Sequence, residues 1–433
     1  MKIHTKHNSG HNTSHSIKTE FVRLGRRIPA VLYSPADTIE PSGIAILVMH
    51  SDEDYLTCPT GPELAKRGHQ VLCANVIGKE GIIFSQNEKL RCVHAAVSWL
   101  KEKAEVQKVI LMGHSGGATL LTAYQAIAEE GPEIFQGEEM LFPYPNSERL
   151  LPADGIMLLD ANWGNAVMQL FSLDPALRSE ENGREIDPAL DLFSPANGFK
   201  KQGSTYSSEF IRKFQKGQSE RNMRILANAL ERNRLIDEGR GNYRDDEPLV
   251  IPGAAQSFFN NKLYAQDIRL MSHTRNAHPL IHSDGSVTEE IVYSVRKPEN
   301  DRSFTDDYTE GARYLTVKTY LSSYAIRTEE DFGYDESRVW GIDWKTSYAS
   351  PVGNISHVHV PTLVMGMTGG WEYLASETIY EMSAAADKFI AFVEGASHKF
   401  EPARHYESYP GQYGDTMKLL HDYVNGWLRA GRF

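Results

Sequence analysis

Residues 106–128 of the chain read VQKVILMGHSGGATLLTAYQAIA. The apolar run from Val109 to Met112 is typical of a buried strand, and it ends in Gly113-His114-Ser115-Gly116-Gly117. Apolar residues then recur at helical spacing, so a helix is expected to begin directly after this corner. A Gly-x-Ser-x-Gly corner between a strand and a helix holds its serine at a strained backbone angle, in front of the free N–H groups of the helix. The stretch therefore predicts that Ser115 is a catalytic nucleophile.

Further buried strands flank this stretch along the chain. A hairpin of two strands is expected over 17–34, and its junction lies near Gly25. Continuous apolar runs, which are typical of strands buried on both faces, follow at 42–50, 69–76, 153–160, 359–367 and 388–398. Amphipathic helices are expected between and after them, over 61–68, 87–104, 376–387 and 415–430. This alternation predicts an α/β fold with a mostly parallel, doubly wound sheet.

The rhythm of strands and helices stops once, between the sixth and the seventh predicted strand. Residues 165–356 contain a long charged helical stretch over about 207–238 and a second helical stretch over 307–327. A segment of that length needs packing of its own, so it is interpreted as a large, mainly helical cap subdomain. The predicted organisation is a disordered polar tail over 1–16, a core formed by 17–164 and 357–433, and the cap between them.

Composition limits the kinds of partner. The net charge of −12 leaves no basic surplus for nucleic acid or an acidic membrane surface. The N-terminus lacks the apolar segment of a secretory signal, and no apolar run reaches the length of a membrane span. Three scattered cysteines form neither a disulfide framework nor a zinc site. A cytoplasmic protein with a small-molecule substrate is expected, and a homo-oligomer stays open.

The order of elements resembles the α/β-hydrolase fold, with Gly113–Gly117 as the nucleophile elbow. The resemblance covers about 17–164 and 357–430, and the insertion stands where that family carries its cap. It implies the chain order nucleophile, acid, histidine, with the histidine after the last strand of the sheet. His398 follows the run at 388–398 within Gly395-Ala396-Ser397-His398, which is similar to the family's Gly-x-x-His loop. His398 is therefore expected to be the general base that activates Ser115.

The acid of the triad has two candidates. The family places an aspartate shortly after a glycine that ends the seventh strand, but this chain has Gly369-Gly370-Trp371-Glu372 there. Glu372 is the nearest carboxylate and is the preferred acid. Asp160, which follows the sixth strand, is the alternative, because some members of the fold take their acid from that position. Either carboxylate would orient His398 and stabilise its positive charge.

The resemblance also implies an oxyanion hole and a pocket. Gly116 would supply one N–H, and the loop after the third strand, which begins His50-Ser51 where the family has His-Gly, would supply another from Ser51 or Asp52. The acidic run from Asp52 to Asp54 disfavours anionic substrates. The residues expected to line the substrate pocket are His50, His114, Trp163 and Trp371, although both tryptophans also suit the core.

The function expected from these residues is a serine hydrolase without metal or organic cofactor. It would cleave a carboxylic ester or lactone of a small, mainly uncharged molecule through an acyl-enzyme. Amide, thioester or carbon–carbon bond hydrolysis and acyl transfer remain open, because they can use the same serine. A ligand-binding protein without catalysis on the same scaffold is the alternative of another class.

Overall fold

The computed structural model describes residues 17–25, 28–76, 86–181, 185–254, 262–298 and 311–433. The predicted tail over 1–16 lies outside these residues. The strands are β1 (Lys18–Leu24), β2 (Ile28–Ser34), β3 (Ile44–Met49), β4 (Gln70–Ala74), β5 (Lys108–His114), β6 (Gly155–Leu159), β7 (Pro248–Ile251), β8 (His273–Ile281), β9 (Val287–Tyr293), β10 (Arg313–Thr316), β11 (Arg327–Tyr334), β12 (Val339–Asp343), β13 (Thr362–Met367) and β14 (Lys388–Val393). The helices are α1 (Thr60–Ala65), α2 (Gln86–Lys101), α3 (Gly116–Glu130), α4 (Asn165–Phe171), α5 (Ser208–Asp237), α6 (Leu263–Gln266), α7 (Val317–Ser323), α8 (Pro351–Asn354), α9 (Tyr373–Met382) and α10 (Thr416–Arg429).

One central sheet organises the chain. Its strand order is β1-β2-β4-β3-β5-β6-β13-β14-β8-β9. The inner neighbours from β4 to β8 are all parallel, whereas β1, β2 and β9 pair antiparallel at the two ends. The predicted α/β class with a mostly parallel sheet is confirmed. Parallel strands end at the same edge, so the residues that follow β3, β5, β6 and β14 meet there.

The sheet is covered on both faces, as its continuous apolar strands require. Along β3, Ala45, Leu47 and Met49 belong to one core cluster, and Ile44, Ile46 and Val48 belong to the other. Successive side chains of a strand point to opposite faces, so a strand with no polar position must be buried on both. Helices α2, α3 and α9 pack on the first face, and α1 and α10 pack on the second.

The insertion between β6 and β13 differs from the predicted cap in one respect. Its described residues form the long α5, close to the expected 207–238, but they also form six strands, and two of these join the central sheet. Leu280 and Ile281 of β8 pair with Phe392 and Val393 of β14. Residues 165–356 are therefore not wholly separate from the sheet. The helix predicted over 307–327 is shorter, because β10 precedes α7 there, and its first residues lie outside the described ranges.

A buried polar contact lies inside the insertion. Arg221 of α5 is fully buried, and its guanidinium donates to the Glu180 carboxylate at 2.6 and 2.8 Å and to the carbonyl of Asp174 at 2.8 Å. A buried cation is tolerated only when its donors are satisfied in this way. The contacts of Arg221 thus join α5 to the segment that follows α4.

Two properties of the described chain bear on its surroundings. Within the described ranges no helix is both long and apolar enough to cross a membrane. The three cysteines are free thiols, and Cys58 and Cys73 are buried in the core.

The start of the insertion is fixed to the core at Gly164. This residue has φ +101°, and a Cβ there would lie 2.5 Å from Cα of Ser350, which precedes α8. We expect Gly164→Ala to lower the free energy of unfolding by about 1–3 kcal/mol, because both the backbone conformation and the contact disfavour a side chain. Urea unfolding followed by circular dichroism measures it.

Gly426→Ala is the matched control for that substitution. Gly426 lies at a solvent-exposed position within α10, away from the helix ends, and a Cβ there would meet nothing within 4 Å. The control should leave stability unchanged or raise it by about 0.5–1 kcal/mol, since alanine is the better helix former. Equal unfolding midpoints for Gly164→Ala and the wild type would contradict the close approach at Ser350.

Candidate active site

Ser115 occupies a strained corner between β5 and α3. Its φ is 53° and its ψ is −127°, a conformation that costs energy for a residue with a side chain. The neighbouring glycines permit the corner. A Cβ at Gly113 would lie 2.8 Å from the backbone N of Ala118, and one at Gly117 would lie 2.4 Å from the carbonyl of Met49. The sequence Gly-His-Ser-Gly-Gly therefore allows β5 and α3 to meet at a sharp angle, with Ser115 held at the turn.

His398 lies in the loop after β14 and is bonded to Asp160. Its Nδ1 is 2.7 Å from Oδ2 of Asp160, a carboxylate that is fully buried at the end of β6. The other oxygen of Asp160 accepts the N–H of Met367 at 2.8 Å, so both oxygens have partners. Asp160 itself has φ 48°, an uncommon backbone conformation for an aspartate. This backbone conformation thus occurs at the residue whose carboxylate is bonded to His398.

The hydrogen bond of His398 favours Asp160 over Glu372, the preferred acid of the sequence analysis. Glu372 precedes α9, and its Oε2 accepts the N–H of Trp371 at 3.2 Å; the hydrogen-bond partner of His398 is Asp160, the alternative. The chain after β13 first turns toward the histidine loop, where the N–H of Gly369 donates to the carbonyl of Ala396 at 2.7 Å. Asp160, which directly follows β6, is thus the carboxylate that is bonded to the imidazole.

Glu372 nevertheless stands close to the pair. One donor atom from each of Asp160, Glu372 and His398 lies within 4.8 Å of the others, the one such group of metal-ligating types found among the described residues. A cation could bind Nδ1 of His398 only if the hydrogen bond to Asp160 were lost. The lone pair of Nδ1 would have to bind the cation in place of the proton that Nδ1 donates to Asp160. The arrangement is that of a hydrogen-bonded pair with a second carboxylate beside it.

Two carboxylates change the acidity of His398. Burial disfavours its charged form, but the negative charges of Glu372 and Asp160 outweigh burial and raise its pKa above the ordinary value. Burial also raises the pKa of the Asp160 carboxyl, and the hydrogen bond from His398 opposes that rise. The imidazole is thus more basic than a solvent-exposed histidine, and it must lose its proton before it can act as a base.

His114 connects the elbow to the histidine loop. Its Nε2 lies 2.7 Å from the carbonyl oxygen of His398, which can only accept, so Nε2 carries the proton. Burial holds the pKa of His114 well below its usual value, so Nδ1 is an acceptor, and the Tyr55 hydroxyl donates to it. The ring also packs on the ring of His398, with centroids 4.5 Å apart. His114 is in the wall of the cavity, as expected, and it positions the main chain of His398.

The loop after β3 packs against Gly116. A Cβ at Gly116 would lie 2.6 Å from Oγ of Ser51 and 3.1 Å from Nε2 of His50. Of the two N–H groups expected as the second oxyanion donor, that of Asp52 donates to Nδ1 of His50 at 3.0 Å. The N–H of Glu53 approaches the same nitrogen at 3.0 Å. The N–H of Asp52 is therefore directed at the imidazole of its own loop, which makes Asp52 a poorer donor than the resemblance implied.

Asp52 has a different role, which its sequence did not indicate. Its carboxylate accepts from Lys89 of α2 at 2.7 Å, from the Tyr324 hydroxyl at 3.0 Å and from Asn165 of α4 at 3.0 Å. Burial opposes its charge, but Lys89 outweighs burial and lowers the pKa of Asp52. The charge of Asp52 is thus neutralised, and the loop is tied to the core and to the insertion, since Tyr324 follows α7.

A cavity of about 670 Å³ opens in front of these residues. His50, His114, Ser115, Gly116 and His398 all line it, which brings the predicted nucleophile and base to one space. Trp163 and Trp371 do not line it. Trp163 is 1% exposed within the core, and Trp371 packs on Tyr264 with ring centroids 4.6 Å apart, so the core interpretation of both tryptophans is correct.

Several lining residues were missed in the sequence. They include Tyr55, Asn162, Asn165, Met168, Arg313 and Phe400. Asn162 is the most informative, because its amide nitrogen lies 3.4 Å from Oγ of Ser115 while its oxygen accepts the N–H of Gly164 at 2.9 Å. Its position just after β6 could have indicated it, since polar residues after parallel strands collect at one edge.

The raised pKa of His398 can be measured without reference to activity. We expect NMR titration of the His398 ring protons to give a pKa above about 6.5, the unperturbed value. Glu372→Gln should lower that pKa, because it removes a negative charge that favours the imidazolium. Glu381→Gln, which changes a carboxylate of α9 that is paired with Arg275 of β8, is the control and should leave the pKa of His398 unchanged. An unshifted pKa in Glu372→Gln would contradict the electrostatic role of Glu372.

Comparison with known proteins adds to this picture in a limited way. No family model matches the chain, and no curated protein matches it. A dienelactone hydrolase from Anabaena variabilis is similar with a TM-score of 0.37 and 10% identity, over 96% of this chain and 97% of that one. The siderophore hydrolase EstB from Aspergillus fumigatus gives 0.42 and 12% over 96% and 98%, and Est1E from Butyrivibrio proteoclasticus gives 0.39 and 11% over 95% and 97%.

Neither activity nor substrate follows from likeness at these values, and the fold is assigned from the chain itself. The parallel strands run in the order β4-β3-β5-β6-β13-β14, interrupted in sequence by one insertion after β6. The Gly-x-Ser-x-Gly corner joins β5 to α3, and a histidine follows β14. By its strand order and its elbow, the chain has the α/β-hydrolase fold.

Proposed function

We propose that the protein is a serine hydrolase that cleaves a carboxylic ester or lactone of a small molecule through an acyl-enzyme. The observation that carries this proposal is the combination at one cavity of a strained serine and an imidazole whose Nδ1 is bonded to a buried carboxylate. A serine hydroxyl is a weak nucleophile unless a base takes its proton, and the base must be held in one orientation. Ser115, His398 and Asp160 have the residue types and the order for those roles.

The proposed reaction uses each nitrogen of His398 once. Nδ1 is bonded to Asp160, which leaves Nε2 to accept the proton of Ser115 as its Oγ attacks the carbonyl carbon. The carbonyl oxygen becomes an oxyanion in front of the N–H of Gly116, the first residue of α3. The protonated Nε2 then gives its proton to the leaving alcohol. In the second step Nε2 accepts a proton from water, which attacks the acyl-enzyme. Nε2 then returns the proton to Oγ of Ser115 as the acid product leaves.

The cavity supports a small-molecule substrate. Its volume of about 670 Å³ falls within the range of roughly 300–1,000 Å³ that is usual for small-ligand sites. Its wall carries more acidic than basic side chains, which disfavours an anionic substrate. Besides Asp52, the acidic ones are Glu53, Asp54, Glu372 and Glu401, and the basic ones are Arg313 and Lys399. Asp52 adds little to this balance, because Lys89 neutralises it. A mainly uncharged substrate is in keeping with such a wall.

Reactivity at neutral pH is expected to be limited by protonation of His398. Only the neutral imidazole accepts the proton of Ser115, and the carboxylates of Glu372 and Asp160 stabilise its charged form. Because the pKa is raised, the competent fraction is small below that pKa and grows as the pH rises through it. The value of kcat/KM should therefore increase toward alkaline pH.

A fluorophosphonate tests the nucleophile directly. We expect the probe to label the wild type at Ser115, found by peptide mass spectrometry, and to leave Ser115→Ala unlabelled. Turnover of p-nitrophenyl butyrate should fall by about 10⁴-fold or more in Ser115→Ala, since the covalent step is lost. Ser408→Ala, which changes an exposed serine, is the control and should match the wild type.

The same assay separates the competing explanations. Turnover that survives EDTA supports hydrolysis by serine, whereas its loss would assign the cluster around His398 to a metal ion. Absence of labelling, together with equal turnover in Ser115→Ala and the wild type, would contradict the proposal. It would favour a ligand-binding protein on this fold.

A further inference from the structure

The environment of Gly116 contains three polar atoms of interest. A Cβ on Gly116 would have as its nearest neighbours Oγ of Ser51 at 2.6 Å, Oδ1 of Asn165 at 3.1 Å and Nε2 of His50 at 3.1 Å. Gly116 follows the nucleophile, and its N–H is the donor that the proposed reaction assigns to the oxyanion. A side chain that reaches this corner is placed to offer a second donor to the same oxygen.

Two of the three atoms have no proton to offer. The Ser51 hydroxyl donates to Oδ2 of Asp52 at 2.6 Å, and a hydroxyl has only one proton. The amide nitrogen of Asn165 donates to Oγ of Ser51 at 3.2 Å and to Oδ2 of Asp52 at 3.0 Å. The atom that Asn165 presents to Gly116 is therefore its carbonyl oxygen, which is an acceptor.

His50 differs from Ser51 and Asn165, because the contacts of its Nδ1 place its proton on Nε2, the nitrogen near Gly116. The N–H groups of Asp52 and Glu53 both point at Nδ1, each at 3.0 Å. Backbone N–H groups only donate, so Nδ1 must be unprotonated, and the single proton of the neutral ring sits on Nε2. Burial keeps the ring neutral, lowering the pKa of His50 to about 4.

The ring is also held in place mechanically. It stacks on Tyr55, with centroids 4.7 Å apart and an angle of 18° between the planes, and only 5% of the residue is exposed. Tyr55 in turn donates to His114, whose Nε2 is bonded to the main chain of His398. The orientation of His50 is thus fixed by the same contacts that fix the histidine loop.

We propose that His50 is a catalytic residue whose Nε2–H donates to the oxyanion beside the N–H of Gly116, in the place that a backbone N–H of its loop would otherwise take. This inference rests on the proposed hydrolysis by Ser115. His50 keeps its proton throughout, because the proton of Ser115 goes to His398. A neutral imidazole held in a fixed orientation stabilises developing negative charge without having to reorganise during the reaction.

Two substitutions separate a donor from a structural anchor. In His50→Asn the side-chain oxygen stands near the place of Nδ1 and can still accept from Asp52 and Glu53, but nothing reaches the place of Nε2. In His50→Gln the terminal amide nitrogen reaches the place of Nε2, and the acceptor at Nδ1 is lost. The donor role predicts that Asn is the damaging substitution, and an anchoring role predicts that Gln is.

The expected result is measured as kcat and KM on p-nitrophenyl butyrate. His50→Asn should lower kcat by about 10²–10³-fold with KM little changed, as loss of one oxyanion donor does elsewhere. The kcat of His50→Gln should be at least about tenfold higher than that of His50→Asn. Both variants should keep the rise of kcat/KM toward alkaline pH, because His398 remains the base. Thermal melting confirms that each variant is folded.

A trifluoromethyl ketone provides a second readout, because its adduct with serine carries an oxyanion. Its inhibition constant should rise in His50→Asn by about the same factor by which kcat/KM falls. Wild-type kcat in His50→Asn, or a loss in His50→Gln that equals or exceeds the loss in His50→Asn, would overturn the role of Nε2. The proposed function fails separately, if Ser115→Ala retains activity or takes up the fluorophosphonate.

Discussion

The hydrogen bond between Asp160 and His398 is the contact on which the site depends. It joins the end of β6 to the loop after β14, two strands that lie on either side of β13 in the sheet. Asp160 adopts an uncommon positive φ to reach it, and the N–H of Met367 at the end of β13 holds the other carboxylate oxygen. The three strands therefore share one buried acceptor. Without it the imidazole would have no fixed tautomer facing Ser115.

The three histidines near this bond differ in which protonation state their surroundings favour. His398 has carboxylates on one side, which favour its charged form. Burial favours the neutral ring of His114 and of His50 and lowers the pKa of each. In the proposed reaction the first imidazole moves a proton, and the other two keep theirs. The differences follow from burial and from neighbouring charge rather than from residue type.

Sequence reasoning succeeded where the determinants are local and stopped where they are tertiary. The elbow and the strands were predictable because the Gly-x-Ser-x-Gly pattern and the uninterrupted apolar runs can be recognised within short stretches of sequence. The partner of His398 was not, since Asp160 and Glu372 both follow strands at the same sheet edge and only the packed structure shows which carboxylate meets Nδ1. The strand β8 was missed because TRNAHPLI lacks the continuous apolar pattern of the inner strands. Lys89 was hidden within a helical pattern, although it neutralises Asp52.

We propose that Asp160, rather than Glu372, completes the catalytic group. This is measured as kcat for Asp160→Asn and Glu372→Gln across the pH range, on one ester substrate. We expect a loss on the order of 10⁴-fold in Asp160→Asn, because the histidine loses its orientation and its stabilising charge. Glu372→Gln should stay within about tenfold of the wild type at its optimum, and the rise of its activity with pH should move to lower pH. A nearly active Asp160→Asn beside an inactive Glu372→Gln would instead assign the acid to Glu372.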